Sequence, residues 1–195
     1  MNEQKHCWYN LKIDITNCFL EGYKLPEPET DSGDGIWQLA AKDIFTPQWL
    51  EYMESIGFFI SSAMIFYRRP YADFIRAHVD ISNAEPLRLS TFGINWCYGG
   101  KNSEMVWYET PAEPKDISYT PANTPFMTWN INELKEIERV HIGNEVSIVK
   151  TCIPHTIKMD AEPRWAISAR CSKFESAKWE TIIEELRKKN LLIER

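Results

Sequence analysis

The chain has 195 residues, of which 44% are hydrophobic and 13% are aromatic, and its formal net charge is −6. This length fits one domain, residues 1–195, that can bury a core without cross-links. The acidic balance argues against duplex nucleic acid as a partner, because proteins bind duplexes through basic surfaces.

The cysteines and the apolar runs indicate where the protein works. Five cysteines are scattered along the chain without Cys-x-x-Cys spacing, as in reduced intracellular proteins. The N-terminal residues are polar and lack the apolar segment of a signal peptide. No apolar run approaches the length of a membrane span. We therefore expect a cytoplasmic protein with no membrane partner.

The first predicted elements are a strand and a helix. Residues 8–15 alternate between apolar and polar side chains like a strand, and residues 25–35 form a loop rich in Pro, Gly and acids. In the next segment Thr46 is a typical N-cap, Pro47 occupies the first helical position, and a glycine follows the apolar stripe. This pattern predicts a helix over residues 46–57.

The middle of the chain is β-rich. Residues 58–172 contain eight or nine short β-branched or aromatic runs, separated by Pro, Gly, Asn and Asp, with no long helical pattern between them. An amphipathic segment at residues 176–190 predicts a closing helix. We therefore predict a mainly β fold with a double-stranded β-helix (jelly-roll) core and a few flanking α-helices.

The stretch IRAHVDIS, residues 75–82, places two metal-ligand types on one strand face. Alternate residues of a strand point to the same side, so His78 and Asp80 share a face with Arg76, opposite an apolar face. Such a polar row either faces water or points into a cavity. Mononuclear ferrous sites use two His and one carboxylate, which requires a third, distant ligand.

Three histidines remain as candidates for that ligand. His6 lies in the N-terminal segment, and His141 lies beside a predicted turn. His155 follows a buried strand and a proline and opens the next strand, so it is well placed to complete a site across the core. Further along, Arg164, Ser168 and Arg170 share one strand face. Buried guanidiniums need anionic partners, although Arg164 could instead pair with Glu162 at the surface.

The order His78-x-Asp80, His155, Arg164 resembles the ferrous iron and 2-oxoglutarate-dependent oxygenases of the double-stranded β-helix type. The resemblance covers about residues 46–172, and the run at 143–170 looks most like the closing strands of aspartyl/asparaginyl hydroxylase-like and phage-encoded members. It implies that His78, Asp80 and His155 bind Fe(II). It also implies that Arg164, nine residues after His155, holds the 5-carboxylate of 2-oxoglutarate.

Two further cosubstrate contacts are expected, from Ser168 and from Asn95. Some family members carry a serine two residues after the arginine, where this chain has Ala166, and Ser168 supplies the hydroxyl instead. Asn95 lies on the strand after the His-Asp pair and is otherwise a core or edge amide. Arg170 is the alternative to Arg164 as the 5-carboxylate partner.

The implied activity is oxidation of a substrate by Fe(II) and O2, coupled to decarboxylation of the cosubstrate 2-oxoglutarate to succinate and CO2. The substrate is expected to be an amino acid, a protein side chain or another small molecule. The main alternative is a non-catalytic jelly-roll binding or structural module whose His and Asp are incidental. A cupin-type enzyme with a different metal is a third interpretation, but such sites usually draw more His ligands.

Overall fold

The computed structural model describes residues 6–28, 34–72, 76–82, 88–110, 117–120, 122–171 and 177–193. The strands are β1 (Trp8–Leu11), β2 (Gly35–Ala40), β3 (Ile60–Arg68), β4 (His78–Ser82), β5 (Arg88–Leu89), β6 (Phe92–Gly99), β7 (Glu104–Glu109), β8 (Ile117–Tyr119), β9 (Pro125–Thr128), β10 (Lys135–Val140), β11 (Ser147–Lys150), β12 (His155–Lys158), β13 (Arg164–Cys171) and β14 (Leu192–Ile193). The α-helices are α1 (Pro47–Ser55) and α2 (Trp179–Lys188), and short 3-10 helices occupy Ala41–Asp43 and Ile131–Glu133.

The described strands form two antiparallel sheets. The first sheet has the order β14-β1-β11-β6-β13-β3-β2, and the second has the order β10-β7-β12-β4-β9-β8, with β5 beside β4. The prediction of a mainly β fold with flanking helices is confirmed. No helix in the described ranges is long and apolar enough to cross a membrane.

Two strands from late in the chain, β12 and β13, are inserted between strands from earlier in the chain. β3, β6, β11 and β13 lie in the first sheet, whereas β4, β7, β10 and β12 lie in the second. β13 pairs with both β3 and β6, and β12 pairs with both β4 and β7. β12 and β13 therefore each lie between two neighbouring strands within their sheets.

Helix α1 forms where its capping residues predict it. The Thr46 side chain accepts a hydrogen bond from the backbone N–H of Trp49, and Pro47 starts the helix. Gly57, with φ +106°, follows the last turn in a conformation that favours glycine. The predicted helix at 46–57 is thus present. The closing helix is present as α2, although residue 176 lies outside the described residues.

The largest core lies on the face of the first sheet that carries both helices. Ile167 and Ala169 of β13 are buried there with Met53 of α1 and Ile182 of α2. The opposite face of β13 carries Arg164 and its polar neighbours. This alternation follows the period of a strand and separates the apolar core from the site.

Some strands were not predicted or were predicted with other bounds. β2, β8 and β14 were missed, β1 ends at Leu11 rather than at residue 15, and β4 begins at His78 rather than at residue 75. Residues 73–75 lie outside the described residues. The missed strands are short or lie at sheet edges, where backbone pairing alone maintains a strand and leaves no clear hydrophobic period.

Truncation of Met53 tests the packing of α1 on the first sheet. Met53 is completely buried, so Met53→Ala should lower the free energy of unfolding by about 2–5 kcal/mol. Glu54→Ala, an exposed change on the same helix, should stay within about 0.5 kcal/mol of wild type. Urea unfolding measures both variants, and equal stabilities would contradict the assigned core.

Candidate metal centre

Three metal-ligand side chains meet between β4 and β12. His155 lies directly opposite His78 in the antiparallel pair, and the ring centroids are 4.5 Å apart. His78 Nε2 is 3.7 Å from Asp80 Oδ1. His78, Asp80 and His155 each offer one ligand atom, and these atoms lie within 4.8 Å of one another. The group is therefore compact enough to hold a metal ion.

The backbone sets the tautomer of both imidazoles. His78 Nδ1 lies 3.0 Å from the carbonyl oxygen of Arg76, and His155 Nδ1 lies 3.0 Å from the carbonyl oxygen of Ile153. A carbonyl oxygen only accepts hydrogen bonds, so Nδ1 of each ring carries a proton and donates. In the neutral ring this leaves the lone pair of Nε2 available to a metal.

Burial also keeps both rings neutral. It lowers the pKa of His78, and it lowers the pKa of His155 from 6.5 to about 4, with the neighbouring His78 acting in the same direction. Both rings are therefore neutral at neutral pH. A metal binds only the unprotonated nitrogen, so the site is ready to coordinate without first losing a proton.

Asp80 is held in its ionised form by Arg170. Burial is the largest single influence and opposes ionisation, but Arg170, His155 and His78 together outweigh it, and the pKa of Asp80 falls to about 2. Arg170 Nη2 donates a 2.8 Å hydrogen bond to Asp80 Oδ2. The other oxygen, Oδ1, faces His78. The sequence offered Arg170 as an alternative cosubstrate contact, and the structure places it against a candidate metal ligand.

All six residues singled out as the candidate site line one inner cavity of about 60 Å³. They are His78, Asp80, Asn95, His155, Arg164 and Ser168. A volume of this size suits a carboxylate and the methylene groups next to it. The remaining histidines lie elsewhere, because His6 pairs with Glu138 and His141 contacts the backbone oxygen of Ser103.

Arg164 is a buried cation without a carboxylate partner among the described residues. Its residue surface is 4% exposed, and Nη2 contacts Cys97 Sγ at 2.8 Å. Burial raises the pKa of Cys97 although Arg164 acts in the opposite direction, so the thiol is un-ionised and accepts only weakly. Glu162, the alternative partner, instead accepts from the backbone of Lys101. A buried charge left in this way is costly unless an anion binds.

A second guanidinium lies beside Arg164. Arg68 is its direct cross-strand neighbour in the β3–β13 pair and lines the same cavity. Burial lowers the pKa of Arg68, Asp34 opposes this shift at 3.2 Å, and Arg164 adds to it. The part of the cavity wall formed by Arg68 and Arg164 is therefore electropositive.

The Gly-Gly turn at Gly99 and Gly100 packs against Arg164. This contact was not predicted from the sequence. Gly99 and Gly100 have φ of +70° and +59°. A Cβ on Gly100 would lie 2.8 Å from Arg164 Cβ and 2.7 Å from Ser103 Oγ. Glycine is needed here for both backbone conformation and space. The adjacent glycines were the signal, but nothing in the sequence linked them to Arg164.

Asn95 and Ser168 face each other across the β6–β13 pair. Asn95 Oδ1 is buried and has no hydrogen-bond partner among the described residues, and the same holds for Arg170 Nη1. Unsatisfied buried polar atoms cost free energy, so a ligand or water that reaches both atoms is favoured. The cosubstrate contacts that we expect of Asn95 and Ser168 remain predictions.

Comparison with known proteins adds no assignment to this geometry. No protein-family model matches the sequence, and no curated protein is similar to it. The function is therefore inferred from the chemistry of the cavity: two neutral imidazoles, one carboxylate, and a buried guanidinium for which the described residues supply no anion.

The neutral, buried His155 predicts acid sensitivity of the metal-free protein. Its pKa is about 4 when folded and ordinarily 6.5, so between these values the unfolded chain binds the proton more readily. The free energy of unfolding should fall as the pH drops from 6.5 to 5, by up to about 1.4 kcal/mol per pH unit for this group. His155→Gln should flatten this slope and His141→Gln should not, as followed by urea unfolding in the presence of a chelator.

Two glycine substitutions, one beside Arg164 and one in open space, test whether the Gly-Gly turn supports Arg164. Gly100→Ala combines an unfavourable φ with a clash against Arg164, whereas Gly22→Ala has a φ of +72° and open space around it. Gly22→Ala should cost about 1 kcal/mol from backbone strain alone, and Gly100→Ala should cost clearly more. Chemical unfolding compares the two variants. Equal losses would show that the Gly-Gly turn does not support Arg164.

Proposed function

We propose that this protein is an Fe(II)- and 2-oxoglutarate-dependent oxygenase that hydroxylates a small-molecule or side-chain substrate. One observation carries the proposal: a His-Asp-His group lines the same small cavity as a buried guanidinium that pairs with no carboxylate in the described part of the chain. A non-catalytic module with an incidental triad has no need for this costly arrangement.

The strand order supports a double-stranded β-helix core. Counting the eight strands β3, β4, β6, β7, β10, β11, β12 and β13, one sheet contains the order β3-β13-β6-β11 and the other contains β4-β12-β7-β10. The last strand thus lies beside the first, as expected where hairpins coil together into two facing sheets. The candidate ligands lie on two neighbouring strands of the second sheet, β4 and β12.

The donor set suits a ferrous ion. Two imidazole nitrogens and one carboxylate oxygen on one side of the metal leave the other octahedral positions open. Because both imidazoles are neutral, Asp80 contributes the only negative charge of the triad. The Fe(II) centre keeps a net positive charge and favours an anionic chelating ligand. Arg170 orients Asp80 by holding its second oxygen.

Arg164 provides the opposite end of a dicarboxylate site. Its planar guanidinium can bind a carboxylate through two parallel hydrogen bonds, and burial strengthens that pair. Arg68 lies next to it and raises the local positive potential. A linear dicarboxylate would therefore place one end at the metal and the other at Arg164, with Asn95 and Ser168 on the wall between.

The residues bind, orient and exclude water, while the bound iron and cosubstrate supply the oxidation of a C–H bond with release of succinate and CO2. His78 and His155 stay neutral and hold the metal. Asp80 stays ionised under the influence of Arg170. Apolar side chains such as Phe66 and Val149 line the cavity and limit the access of water.

Anaerobic binding of 2-oxoglutarate tests the proposal without turnover. Wild type loaded with Fe(II) should develop the visible charge-transfer band of the chelate. Arg164→Ala should weaken 2-oxoglutarate binding by roughly 30-fold to several thousand-fold, which corresponds to the loss of a buried charge-assisted pair of about 2–5 kcal/mol. Arg164→Lys should recover only part of the loss.

Metal affinity is the internal control of this experiment. Arg164→Ala leaves the triad untouched and should bind Mn(II) like wild type, whereas His155→Ala should lose Mn(II) binding. Arg170→Ala is unsuitable as a control, since it removes the partner of Asp80. A wild-type protein that binds Fe(II) but shows no chelate band refutes the oxygenase proposal.

A further inference from the structure

A second, outer cavity adjoins the metal centre. It has a volume of about 260 Å³ and shares His78, Asp80 and Arg170 with the inner cavity. We propose that this outer cavity binds the primary substrate, and that the substrate is a small amphipathic anion whose carboxylate or phosphate pairs with Arg76. This inference rests on the proposed function and names the substrate class of the same site.

The walls of the outer cavity favour an apolar substrate body. Ile36, Met64 and Phe66 line it on the side of the first sheet, and Phe126 lines it on the side of the second. The Phe126 ring meets the His78 ring edge-on, with centroids 6.2 Å apart. An apolar group in this cavity therefore lies against the triad, where a C–H bond would be oxidised.

The charges around the two cavities favour a negative headgroup. Arg170 pairs with Asp80, Arg68 pairs with Asp34, and Arg164 faces the inner cavity. The Arg76 side chain lines the outer cavity, and within the described residues no acidic side chain pairs with it. Its backbone carbonyl holds His78, so the guanidinium is attached close to the metal centre.

The positive charge persists after the cofactors are counted. Four guanidiniums line the two cavities, and two of them pair with carboxylates, Arg68 with Asp34 and Arg170 with Asp80. A divalent metal and a dianionic cosubstrate cancel each other, so the surplus remains for the substrate. This local field contrasts with the net charge of −6 and would concentrate small anions at the mouth.

The size of the outer cavity limits what can bind. Its volume lies just below the range of about 300–1,000 Å³ that is typical of small-molecule sites. A free carboxylic acid or phosphate monoester with a short apolar body fits this space. The threonines at positions 120 and 124 add polar contacts beside the arginines.

A matched probe series measures the headgroup preference without turnover. Hexanoate, hexyl phosphate, 1-hexanol and hexylammonium share one apolar body, and each is titrated calorimetrically into protein loaded with Mn(II) and 2-oxoglutarate. At least one anion should bind about tenfold more tightly than 1-hexanol, as expected for a charge-assisted hydrogen bond. The comparison of hexanoate with hexyl phosphate identifies which headgroup is preferred.

Two arginine variants test whether Arg76 causes the preference for anionic probes. Arg76→Gln should bring the affinity for the anions down to that for 1-hexanol and leave 1-hexanol binding unchanged. Arg88→Gln removes the same charge from an exposed position on β5 that lines neither cavity, and should behave like wild type. The inference is overturned if 1-hexanol binds as well as both anions, if no probe binds, or if Arg76→Gln keeps the preference.

The same titrations in metal-free protein separate the two proposals. If the protein binds neither metal nor 2-oxoglutarate but shows an anion preference that depends on Arg76, the oxygenase proposal fails and the substrate class stands. If it binds metal and 2-oxoglutarate but shows no such preference, the substrate class is wrong and the oxygenase proposal stands.

Discussion

The site depends on strand β13, which must bury one face in the apolar core and line the cavity with its other, polar face. One of its faces closes the apolar core beneath both helices, while the other exposes Arg164, Ser168 and Arg170 to the interior cavity. The strict alternation of a strand makes this possible, because neighbouring residues never compete for the same environment. A register shift of one residue would bury the guanidiniums in the core and turn the apolar side chains toward the metal centre.

Burial lowers the pKa of the histidines and tends to raise that of Asp80. The charge state of each group therefore depends on the charged side chains next to it. The imidazoles have no carboxylate bound tightly enough to offset burial, so they become neutral and available to a metal. Asp80 has Arg170, so it stays ionised despite burial. Arg164 cannot lose its proton, and among the described residues its hydrogen-bond partner is a thiol and not a carboxylate. The cavity lining therefore combines a group that can bind a cation with a guanidinium that can bind an anion.

The two cavities adjoin the same candidate metal centre. The inner one is small and lined by both polar and apolar side chains, among them Arg68 and Arg164. The outer one is larger and mostly apolar, and it adds Arg76. Because His78 and Asp80 border both, a cosubstrate and a substrate could reach the metal from different sides. That separation agrees with the proposed function, in which two small molecules react at one ion.

Features that depend on local period and chemistry could be predicted from the sequence alone. The cap of α1, the alternation on β13, and the His78-x-Asp80 pair all follow from residues a few positions apart. The tertiary structure alone decided the partners, because these come from distant parts of the chain. Arg170 holds Asp80 across 90 residues, Arg68 lies beside Arg164 through strand pairing, and a Gly-Gly turn makes room for the Arg164 side chain. No periodic pattern encodes such contacts, since the order in which strands pair sets them.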